Sequence, residues 1–498
     1  MQAANKTKNK ELGEVLSELV SKRFKDAFLI EGASGEKYSY GEFFSAALDA
    51  ADAFKAHGMK PRAIVTMVMR NSAQTLVLYL GAMLAGVRIA LVDPEKGVED
   101  MHAIFKQVDS HATIADVPSR AFGRDYVPTD VFVRSFPGKK RSQKDIVKAL
   151  RALKDDSPFL ITFTSGSTGV PKGVSHSPRN LYLSSKAFGE RFDLGPKHTF
   201  YHHLPMTYVA GVLNSFILPL VHGSKLVVGP RFSVGGIPQF WEIPIKHKVN
   251  VFWLVPTMLS LLMKLDRGSA GIEYAKKTKI IGCVGTAPLS PTLHKEFEKR
   301  YALPLFESYG LSETLFVTSQ GPKENDPIES VGKPLSMTDV RLGEDGELLV
   351  SVPWMFKGYL IEKKEIPFKG KDFVSGDLGT FDKGGSLRIT GRKKDIVIRG
   401  GINLSPRHIE EYLSERKVFD EQVILGFPDD ILGEKIVCFY VPHPTGFTSE
   451  ERSGLLSDMK QALGKEYGID EFAELSAIPK NTNGKVDAPK LRASYKSS

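Results

Sequence analysis

A loop rich in glycine and hydroxyl side chains is the stretch of sequence best suited to chemistry. An apolar run at residues 159–163 leads into residues 164–173, which read TSGSTGVPKG. Glycines let a backbone approach a polyphosphate, hydroxyls and amide N–H groups donate to its oxygens, and Lys172 would offset its charge. It is not a Walker A loop, because Pro171 stands where that motif requires glycine. The pattern indicates a phosphate-binding loop, and composition alone leaves a flexible Gly/Ser loop open as the alternative.

The elements around this loop follow the alternation of βαβ units. Apolar, strand-like runs alternate with amphipathic segments, which predicts parallel sheets covered by helices. After about Gly343, short alternating segments with Gly and Asp turns predict a more antiparallel, β-rich region. A charged run at residues 391–394 predicts a boundary, followed by a compact tail that ends near Lys485. The strand-like runs are residues 63–68, 225–228, 249–255 and 279–284 in the first region, and 346–352 and 385–390 in the second.

Length and composition describe a globular protein of more than one domain. The chain has 498 residues, a length that exceeds the size at which single cores stop growing. Its composition, 42% hydrophobic and 25% charged residues, is ordinary for a globular protein. Its two cysteines, Cys283 and Cys438, show no C-x-x-C spacing, which fits a reducing compartment and argues against structural zinc. The longest apolar run, residues 76–87, falls short of the roughly 18 residues a membrane span needs and predicts a buried helix. We expect a soluble, cytoplasmic protein without a membrane span.

The formal net charge of +9 suits acidic partners such as nucleotides, coenzyme A (CoA), an acidic carrier protein or nucleic acid. The basic residues are spread along the chain and no recognised nucleic-acid module accompanies them, so nucleic-acid binding is not expected. The adjacent His202 and His203 suggest a metal site, but neighbouring residues on a strand face opposite ways and no third ligand is near in sequence. We interpret both histidines as structural.

The glycine-rich segment resembles the signature of the adenylate-forming superfamily, which contains acyl- and aryl-CoA synthetases, peptide-synthetase adenylation domains and firefly luciferase. Further segments match in the superfamily's order, so the resemblance covers nearly the whole chain. It is most like a CoA ligase. The matching segments are 164–173, 204–206 (LPM), 285–289 (GTAPL), 309–314 (YGLSET), 346–350 (GELLV), 375–379 (SGDLG), 391–395 (GRKKD), 400–406 (GGINLSP) and 483–487 (NGKVD).

The resemblance implies a reaction in which a carboxylate attacks the α-phosphate of ATP. Each unit-charge repulsion at ~4 Å costs about 4 kcal/mol at an effective dielectric of 20, so cations must converge there. By resemblance, Glu313 holds Mg²⁺, and Lys485, Thr168 and Lys172 join it as catalytic residues. Asp377 would accept the ribose hydroxyls, Arg392 would contact ribose and phosphate, and Tyr309 would stack on adenine. The full implied ATP-binding set is Thr164, Ser165, Gly166, Ser167, Thr168, Gly169, Lys172, Gly285, Thr286, Ala287, Ser308, Tyr309, Gly310, Thr314, Asp377, Arg392 and Lys485.

The implied acid pocket is mainly apolar. The segment where amino-acid-activating relatives place an aspartate, residues 204–211, has no acidic residue, so we expect an acid without an α-amino group. Thr207-Tyr208 replaces the family's aromatic-His pair, which bears on pocket shape, and His408 replaces an acidic residue, which bears on the C-terminal surface. The implied lining residues are Tyr208, Val209, Trp253, Cys283, Gly310 and Leu315. Trp253 and Cys283 as plain sheet core are the alternative.

The implied fold is α/β. A large N-terminal domain of stacked βα sheets with a β-rich subdomain, residues 1–391, would bind ATP and the acid, and a small α+β lid, residues 392–498, would follow. Lys394 occupies the family's hinge position. One face of the lid would carry Lys485 for adenylation; the other, residues 395–406 with Arg399, Gly400 and Gly401, would line a tunnel for the acceptor thiol.

The implied function is an AMP-forming acid–thiol ligase that uses ATP, Mg²⁺ and CoA. It would convert a carboxylic acid to an acyl-adenylate with release of pyrophosphate and then transfer the acyl group to CoA. Two alternatives stay open: loading of a carrier protein with the same adenylate, and an inactive homologue that only binds nucleotide or acid.

Overall fold

A computed structural model describes residues 10–117, 122, 126–165, 170–444, 446–480 and 486–495. It confirms the predicted α/β class, because helices alternate with strands through the first two thirds of the chain and strands dominate after residue 302. The helices are α1 Leu12–Arg23, α2 Tyr40–Ala56, α3 Ala73–Ala85, α4 Val98–Phe105, α5 Thr129–Arg134, α6 Gln143–Arg151, α7 Pro178–Arg191, α8 Val209–Val212, α9 Leu218–Val221, α10 Glu242–Lys246, α11 Pro256–Leu265, α12 Ala270–Lys277, α13 Pro291–Tyr301, α14 Pro406–Glu415, α15 Ser449–Leu463 and α16 Ala488–Ser494.

The strands form four sheets. They are β1 Ala27–Glu31, β2 Lys37–Ser39, β3 Ile64–Val68, β4 Arg88–Leu91, β5 Ala112–Ala115, β6 Tyr126–Pro128, β7 Leu160–Ser165, β8 Pro171–His176, β9 Thr199–His202, β10 Lys225–Val228, β11 Val251–Leu254, β12 Ile281–Val284, β13 Leu305–Leu311, β14 Leu315–Ser319, β15 Lys333–Pro334, β16 Asp339–Leu342, β17 Glu347–Ser351, β18 Gly358–Ile361, β19 Lys364–Pro367, β20 Phe373–Phe381, β21 Leu387–Arg392, β22 Val397–Arg399, β23 Ile402–Leu404, β24 Glu421–Asp429, β25 Gly433–Val441 and β26 Glu471–Glu474.

Two large sheets make up most of the molecule. Sheet I has the order β19-β18-β8-β7-β4-β3-β5-β6, and sheet II the order β15-β14-β13-β12-β11-β9-β10-β1-β2. The central strands of sheet II, β10, β9, β11, β12 and β13, are parallel. Parallel strands end at one edge of a sheet, and loops after those ends are where ligands bind in open α/β sheets. That edge of sheet II carries most of the residues predicted to bind ATP and the acid.

A single apolar core joins both large sheets and the helices between them. Helix α3 shows how the sequence specifies its position: it is apolar on almost every side and buried along its length. Ser72 caps its first turn by accepting the Thr75 N–H, and Gly86 ends it in the left-handed conformation with φ of 71°. This helix confirms the buried helix predicted at residues 76–87.

Apart from β18 and β19, which belong to sheet I, the strands after residue 338 form two smaller sheets. Sheet III has the order β16-β17-β20-β21 and is antiparallel, as predicted for the β-rich region. Sheet IV has the order β23-β22-β25-β24, with β26 pairing with β25. Helices α14 and α15 contribute to a separate apolar core on sheet IV, built around Ile409, Leu413, Ile436 and Met459.

The C-terminal part contacts the rest of the molecule through a few polar interactions. The Ser405 hydroxyl donates to the Thr390 carbonyl at 2.6 Å, and Arg388 pairs with Glu411 at 2.7 Å. Within the described chain, no helix is both long and apolar enough to cross a membrane.

Candidate active site

A tight hairpin turn at the edge of sheet II presents Glu313. Strands β13 and β14 pair antiparallel, with Leu311 opposite Leu315, so residues 312–314 form the turn. Gly310 is required there because a Cβ at this position would lie 1.9 Å from the Leu315 carbonyl oxygen. Leu315 itself has φ of 52°, an uncommon backbone conformation for a bulky residue. The backbone of this segment is therefore fixed by close packing of its own two strands.

Thr314, predicted to bind phosphate, lies inside this turn. Its side chain is fully buried, and its hydroxyl oxygen accepts the Leu311 N–H at 3.2 Å. The indole N–H of Trp354 donates to the Thr314 carbonyl at 2.8 Å. In this structure the hydroxyl thus stabilises the turn that presents its neighbour Glu313.

Glu313 is half-exposed, and one of its carboxylate oxygens accepts a hydrogen bond. Its Oε1 accepts the phenol of Tyr359, on β18, at 2.9 Å. Tyr208 is half-buried, and its pKa is raised first by removal from water and then by the charge of Glu313, so phenol and carboxylate lie near each other. Among the described residues no cluster of three His, Cys, Asp or Glu side chains could hold a metal. A single carboxylate nevertheless fits Mg²⁺, which proteins usually bind through one or two carboxylates together with substrate phosphates.

The turn is anchored to sheet I by contacts that sequence analysis missed. The ring of His176, fully buried, donates from Nε2 to the Ser312 carbonyl at 2.6 Å, and burial lowers the pKa of this histidine to about 4. The Phe356 N–H donates to the Glu313 carbonyl at 3.0 Å. Neither His176 nor Tyr359 is near Glu313 in sequence, so only the fold brings them together.

Asp377, predicted to bind ribose, is the centre of a second group. It lies on β20 opposite Arg392 on β21. One carboxylate oxygen accepts the Tyr309 phenol at 2.7 Å, and the other pairs with Nε of Arg392 at 2.8 Å. Burial, and then the charge of Asp377, raises the pKa of Tyr309 well above its ordinary value. The structure thus brings together all three residues predicted to contact adenine and ribose, with Tyr309 only four residues before Glu313.

The loop after β12 lies against Ser308, the residue before Tyr309. Gly285 is buried, and a Cβ there would lie 3.0 Å from the Ser308 hydroxyl oxygen. Ser308 in turn donates to the Val284 carbonyl at 3.1 Å. Thr286 has φ of 73°, and such outliers concentrate at ligand-binding positions. Gly285, Thr286 and the half-buried Ala287, all predicted to bind nucleotide, therefore form a constrained loop beside Tyr309.

The predicted phosphate-binding loop lies only partly within the described residues. Strands β7 and β8 pair antiparallel and place Thr164 opposite Lys172, which is half-buried. Gly173 is needed for packing, because a Cβ there would lie 2.9 Å from the Ile161 side chain. The predicted residues Gly166, Ser167, Thr168, Gly169 and Lys485 lie outside the described residues, as does the side chain of Ser165.

The predicted acid-pocket residues form a layer on sheet II. Trp253 pairs with Cys283 across β11 and β12, and both are about 2% exposed. The indole packs against two stacked rings that sequence analysis missed, Phe188 at 5.1 Å and Phe316 at 5.3 Å between centroids. The indole atom Cζ2 is 3.7 Å from the position a Cβ would take at Gly285. The predicted pocket residues Tyr208, Val209, Gly310 and Leu315 lie at the carboxyl edge of the same sheet, on β13, β14 and the start of α8.

The predicted hinge and thiol tunnel lie in the segment after β21. Lys394 is exposed within a single 3₁₀ turn, Lys393–Asp395. Gly400 and Gly401 have φ of 57° and 80° and form the turn between β22 and β23. Arg399 pairs with Asp470 at 2.6 Å and also donates to two backbone carbonyls, so its guanidinium is held within the C-terminal part.

Known proteins with similar sequences include several CoA ligases. A family profile described as AMP-binding enzyme matches residues 18–360. A sulfoacetate–CoA ligase from Cupriavidus necator is 28% identical over 93% of this chain and 94% of its own length. A 2-succinylbenzoate–CoA ligase from Listeria monocytogenes is 31% identical over 67% of this chain and 69% of its own length.

A solved structure shows the same fold. The o-succinylbenzoate CoA synthetase of Bacillus subtilis, crystallised with its acyl-adenylate intermediate, superposes with a TM-score of 0.80. It is 22% identical, and the match covers 97% of this chain and 99% of that one.

Proposed function

Because the chain belongs to the AMP-binding enzyme family, we propose that it activates a carboxylic acid with ATP and transfers the acyl group to CoA. It is an AMP-forming acid–thiol ligase that uses ATP, Mg²⁺ and CoA. In the first half-reaction a carboxylate oxygen bonds to the α-phosphorus, the bond to the bridging oxygen breaks, and pyrophosphate leaves. In the second, the CoA sulfur bonds to the acyl carbon and AMP leaves.

In this proposal Asp377 and Glu313, each with its hydrogen-bonding partners, bind the nucleotide. Asp377 accepts the ribose hydroxyls, with Tyr309 and Arg392 holding its two oxygens in place. Glu313 binds Mg²⁺, which neutralises phosphate charge, and the hydrogen bond from Tyr359 fixes which oxygen faces the metal. The loop at residues 164–173 binds the phosphates through its backbone and through Thr168 and Lys172, and Thr314 acts by shaping the turn.

The C-terminal part acts as a lid in this proposal. Residues 392–498 form a domain that turns about Lys394, which is exposed and lies in a single short turn. In one orientation Lys485 reaches the α-phosphate and the attacking carboxylate. In the other, the β22–β23 turn with Gly400 and Gly401 lines the path of the thiol. Arg399 supports this turn through its pair with Asp470.

The proposed compartment is the cytoplasm. Both cysteines are free and buried, and burial raises the pKa of each thiol. Unpaired, protonated thiols suit a reducing environment.

The observation that carries the proposal is that Tyr309, which bonds to Asp377, lies on the strand β13 that leads into the turn of the half-exposed Glu313. The test is ATP–pyrophosphate exchange over a panel of carboxylic acids, followed by addition of CoA to the active ones. We expect exchange with at least one acid lacking an α-amino group, and a thioester once CoA is added. Exchange without any acyl-CoA would favour the carrier-protein alternative, and no exchange with any acid would favour an inactive homologue.

A further inference from the structure

Three polar atoms in the predicted acid-pocket layer of sheet II are buried and meet no hydrogen-bond geometry within the described part of the chain. They are the indole nitrogen of Trp253 and both ring nitrogens of His202, which the Gly211 backbone approaches. Both side chains are at most 2% exposed. Leaving a buried polar group unpaired costs on the order of 1–3 kcal/mol, so such groups are rare and need an explanation. A ligand that supplies the missing partners is one such explanation.

Strand register places these two side chains next to each other. Phe252 on β11 is opposite Tyr201 on β9, so the next residues along, Trp253 and His202, are also neighbours. Side chains alternate along a strand, so Trp253 and His202 share the face opposite to Phe252 and Tyr201. The rings of Phe252 and Tyr201 lie 6.1 Å apart, which shows that their own face is shared.

His203 provides a contrast on the other face. It is equally buried, and the backbones of Tyr201 and Trp253 approach its ring nitrogens without meeting hydrogen-bond geometry in the part of the chain that the structure describes. Its ring packs on Tyr201 at 4.9 Å and Phe240 at 5.7 Å, on the face opposite to the Trp253 side chain. The two adjacent histidines thus share burial and differ in the face they occupy.

Trp253 also limits the length of an acid. Its indole packs against the stacked rings of Phe188 and Phe316 and lies 3.7 Å from the position of a Cβ at Gly285, in the nucleotide loop. An acid whose carboxylate meets ATP near Glu313 therefore reaches the indole after a short distance. The His202 ring lies one strand further from the nucleotide loop than the indole does.

The hydrogen-bonding groups of His202 and Trp253 suit an oxygen atom of a bound ligand. Burial lowers the pKa of His202 to about 3, so the ring is neutral near pH 7, with one N–H donor and one acceptor nitrogen. The Trp253 indole offers only a donor. Two donors and one acceptor are complementary to a hydroxyl, a carbonyl or a carboxyl oxygen.

We propose that His202 and Trp253 bind an oxygen at the distal end of the acid, so the enzyme prefers short acids carrying such an oxygen over plain aliphatic acids of equal length. This inference rests on the proposed function. It departs from the sequence-based interpretation of both histidines as structural and keeps that interpretation for His203.

The test compares kcat/KM in acyl-CoA formation across matched acids of four, five and six carbons. Each length has a plain acid, an oxo acid and a dicarboxylic acid, for example pentanoate, 4-oxopentanoate and glutarate. We expect an oxygenated acid to exceed its plain counterpart by at least about tenfold at one length, because a site built to hydrogen-bond rejects analogues that lack the bond. The oxo and dicarboxylic acids distinguish a neutral oxygen from a second anion.

Variants assign the preference to the two side chains. The ratio compared is the kcat/KM of an oxygenated acid divided by that of the plain acid of equal length. His202→Leu is expected to bring this ratio close to one with the KM for ATP unchanged. His202→Gln, which keeps a donor and an acceptor, is expected to retain part of the preference. Trp253→Phe keeps an aromatic ring and is expected to lower the ratio several-fold. The matched control His203→Leu should leave the ratio unchanged. The fold of each variant is checked by its thermal unfolding midpoint.

Two results would overturn this inference while leaving the proposed function intact. One is the absence of any preference for oxygenated acids at all three lengths in an enzyme that activates the plain acids. The other is an equal loss of preference in His203→Leu and His202→Leu. Failure of every acid to support ATP–pyrophosphate exchange would instead overturn the proposed function and this inference with it.

Discussion

At the scale of single residues, the site depends on carboxylates whose orientation is set by phenols. Tyr359 fixes Glu313 and Tyr309 fixes Asp377, each through one hydrogen bond of less than 3 Å. A phenol donates only one proton, so each of these bonds leaves the other carboxylate oxygen to another partner. For Asp377 that partner is Arg392; for Glu313 we propose the metal ion.

Tyr359→Phe tests the orientation of Glu313. The change keeps the ring and removes the hydroxyl, and loss of such a supporting bond typically weakens metal binding 10–100-fold. We expect the Mg²⁺ concentration for half-maximal pyrophosphate exchange to rise about tenfold or more, and Glu313→Gln to lose more activity still. The measurement is a titration of exchange rate with MgCl₂.

The matched control is Tyr274→Phe, whose hydroxyl donates to the Val249 carbonyl at 2.7 Å, remote from Glu313. It should leave the titration unchanged. Equal Mg²⁺ dependence in wild type, Tyr359→Phe and Glu313→Gln would show that Glu313 is not the metal ligand.

Sequence motifs located Glu313, Asp377 and Arg392, but they could not give the residues that orient them. Tyr359 and His176 come from sheet I, and their contacts with the turn exist only because the two sheets meet at this edge. Thr314 shows a related limit, because a motif does not reveal that its hydroxyl oxygen accepts the Leu311 N–H, and its role in ATP binding stays a prediction.

At the scale of elements, the β13–β14 hairpin is the part most sensitive to small changes. Gly310→Ala would place a methyl group 1.9 Å from the Leu315 carbonyl oxygen, so the two strands would have to separate. Overpacking of this kind typically costs 1–3 kcal/mol, and here it would also move Glu313. We expect a lower thermal unfolding midpoint and a loss of pyrophosphate exchange larger than the loss of stability explains.

Gly235→Ala is the matched control, since a Cβ there meets no atom within 4 Å. It should match wild type in both measurements. Wild-type exchange in Gly310→Ala would show that the tight hairpin is not needed to position the metal ligand.

Four strands of the large sheets, β3, β10, β11 and β12, were predicted, because apolar runs bounded by Gly, Pro and Asp identify buried parallel strands. Their order in the sheets was not, since strand pairing depends on contacts between distant segments. The aromatic packing of Phe188 and Phe316 on Trp253 follows from that order and had no signal in the sequence.

At the scale of the whole molecule, the proposed function has one site that serves both half-reactions. The separate apolar core of sheet IV and the few polar contacts of the C-terminal part suit a domain that moves. The division into two domains stays a prediction from motif order, and Lys485 lies outside the described residues.

Lys485→Ala tests whether Lys485 acts in adenylation and not in thioester formation. Losing about 4 kcal/mol of transition-state stabilisation corresponds to three decades of rate, so we expect adenylation to fall about a thousandfold. Thioester formation from a supplied acyl-adenylate should survive, because the lid has then turned Lys485 away. Measuring the two half-reactions separately decides this, and equal damage to both would contradict the two-face lid.

The central claim is that an acyl-adenylate forms, and oxygen transfer tests it most directly. An acid labelled with ¹⁸O in its carboxylate is incubated with ATP, Mg²⁺, CoA and the enzyme, and the products are analysed by mass spectrometry. Attack of the carboxylate on the α-phosphorus predicts one ¹⁸O atom in each AMP and none in pyrophosphate. Unlabelled AMP, or label in inorganic phosphate formed together with ADP, would contradict the account.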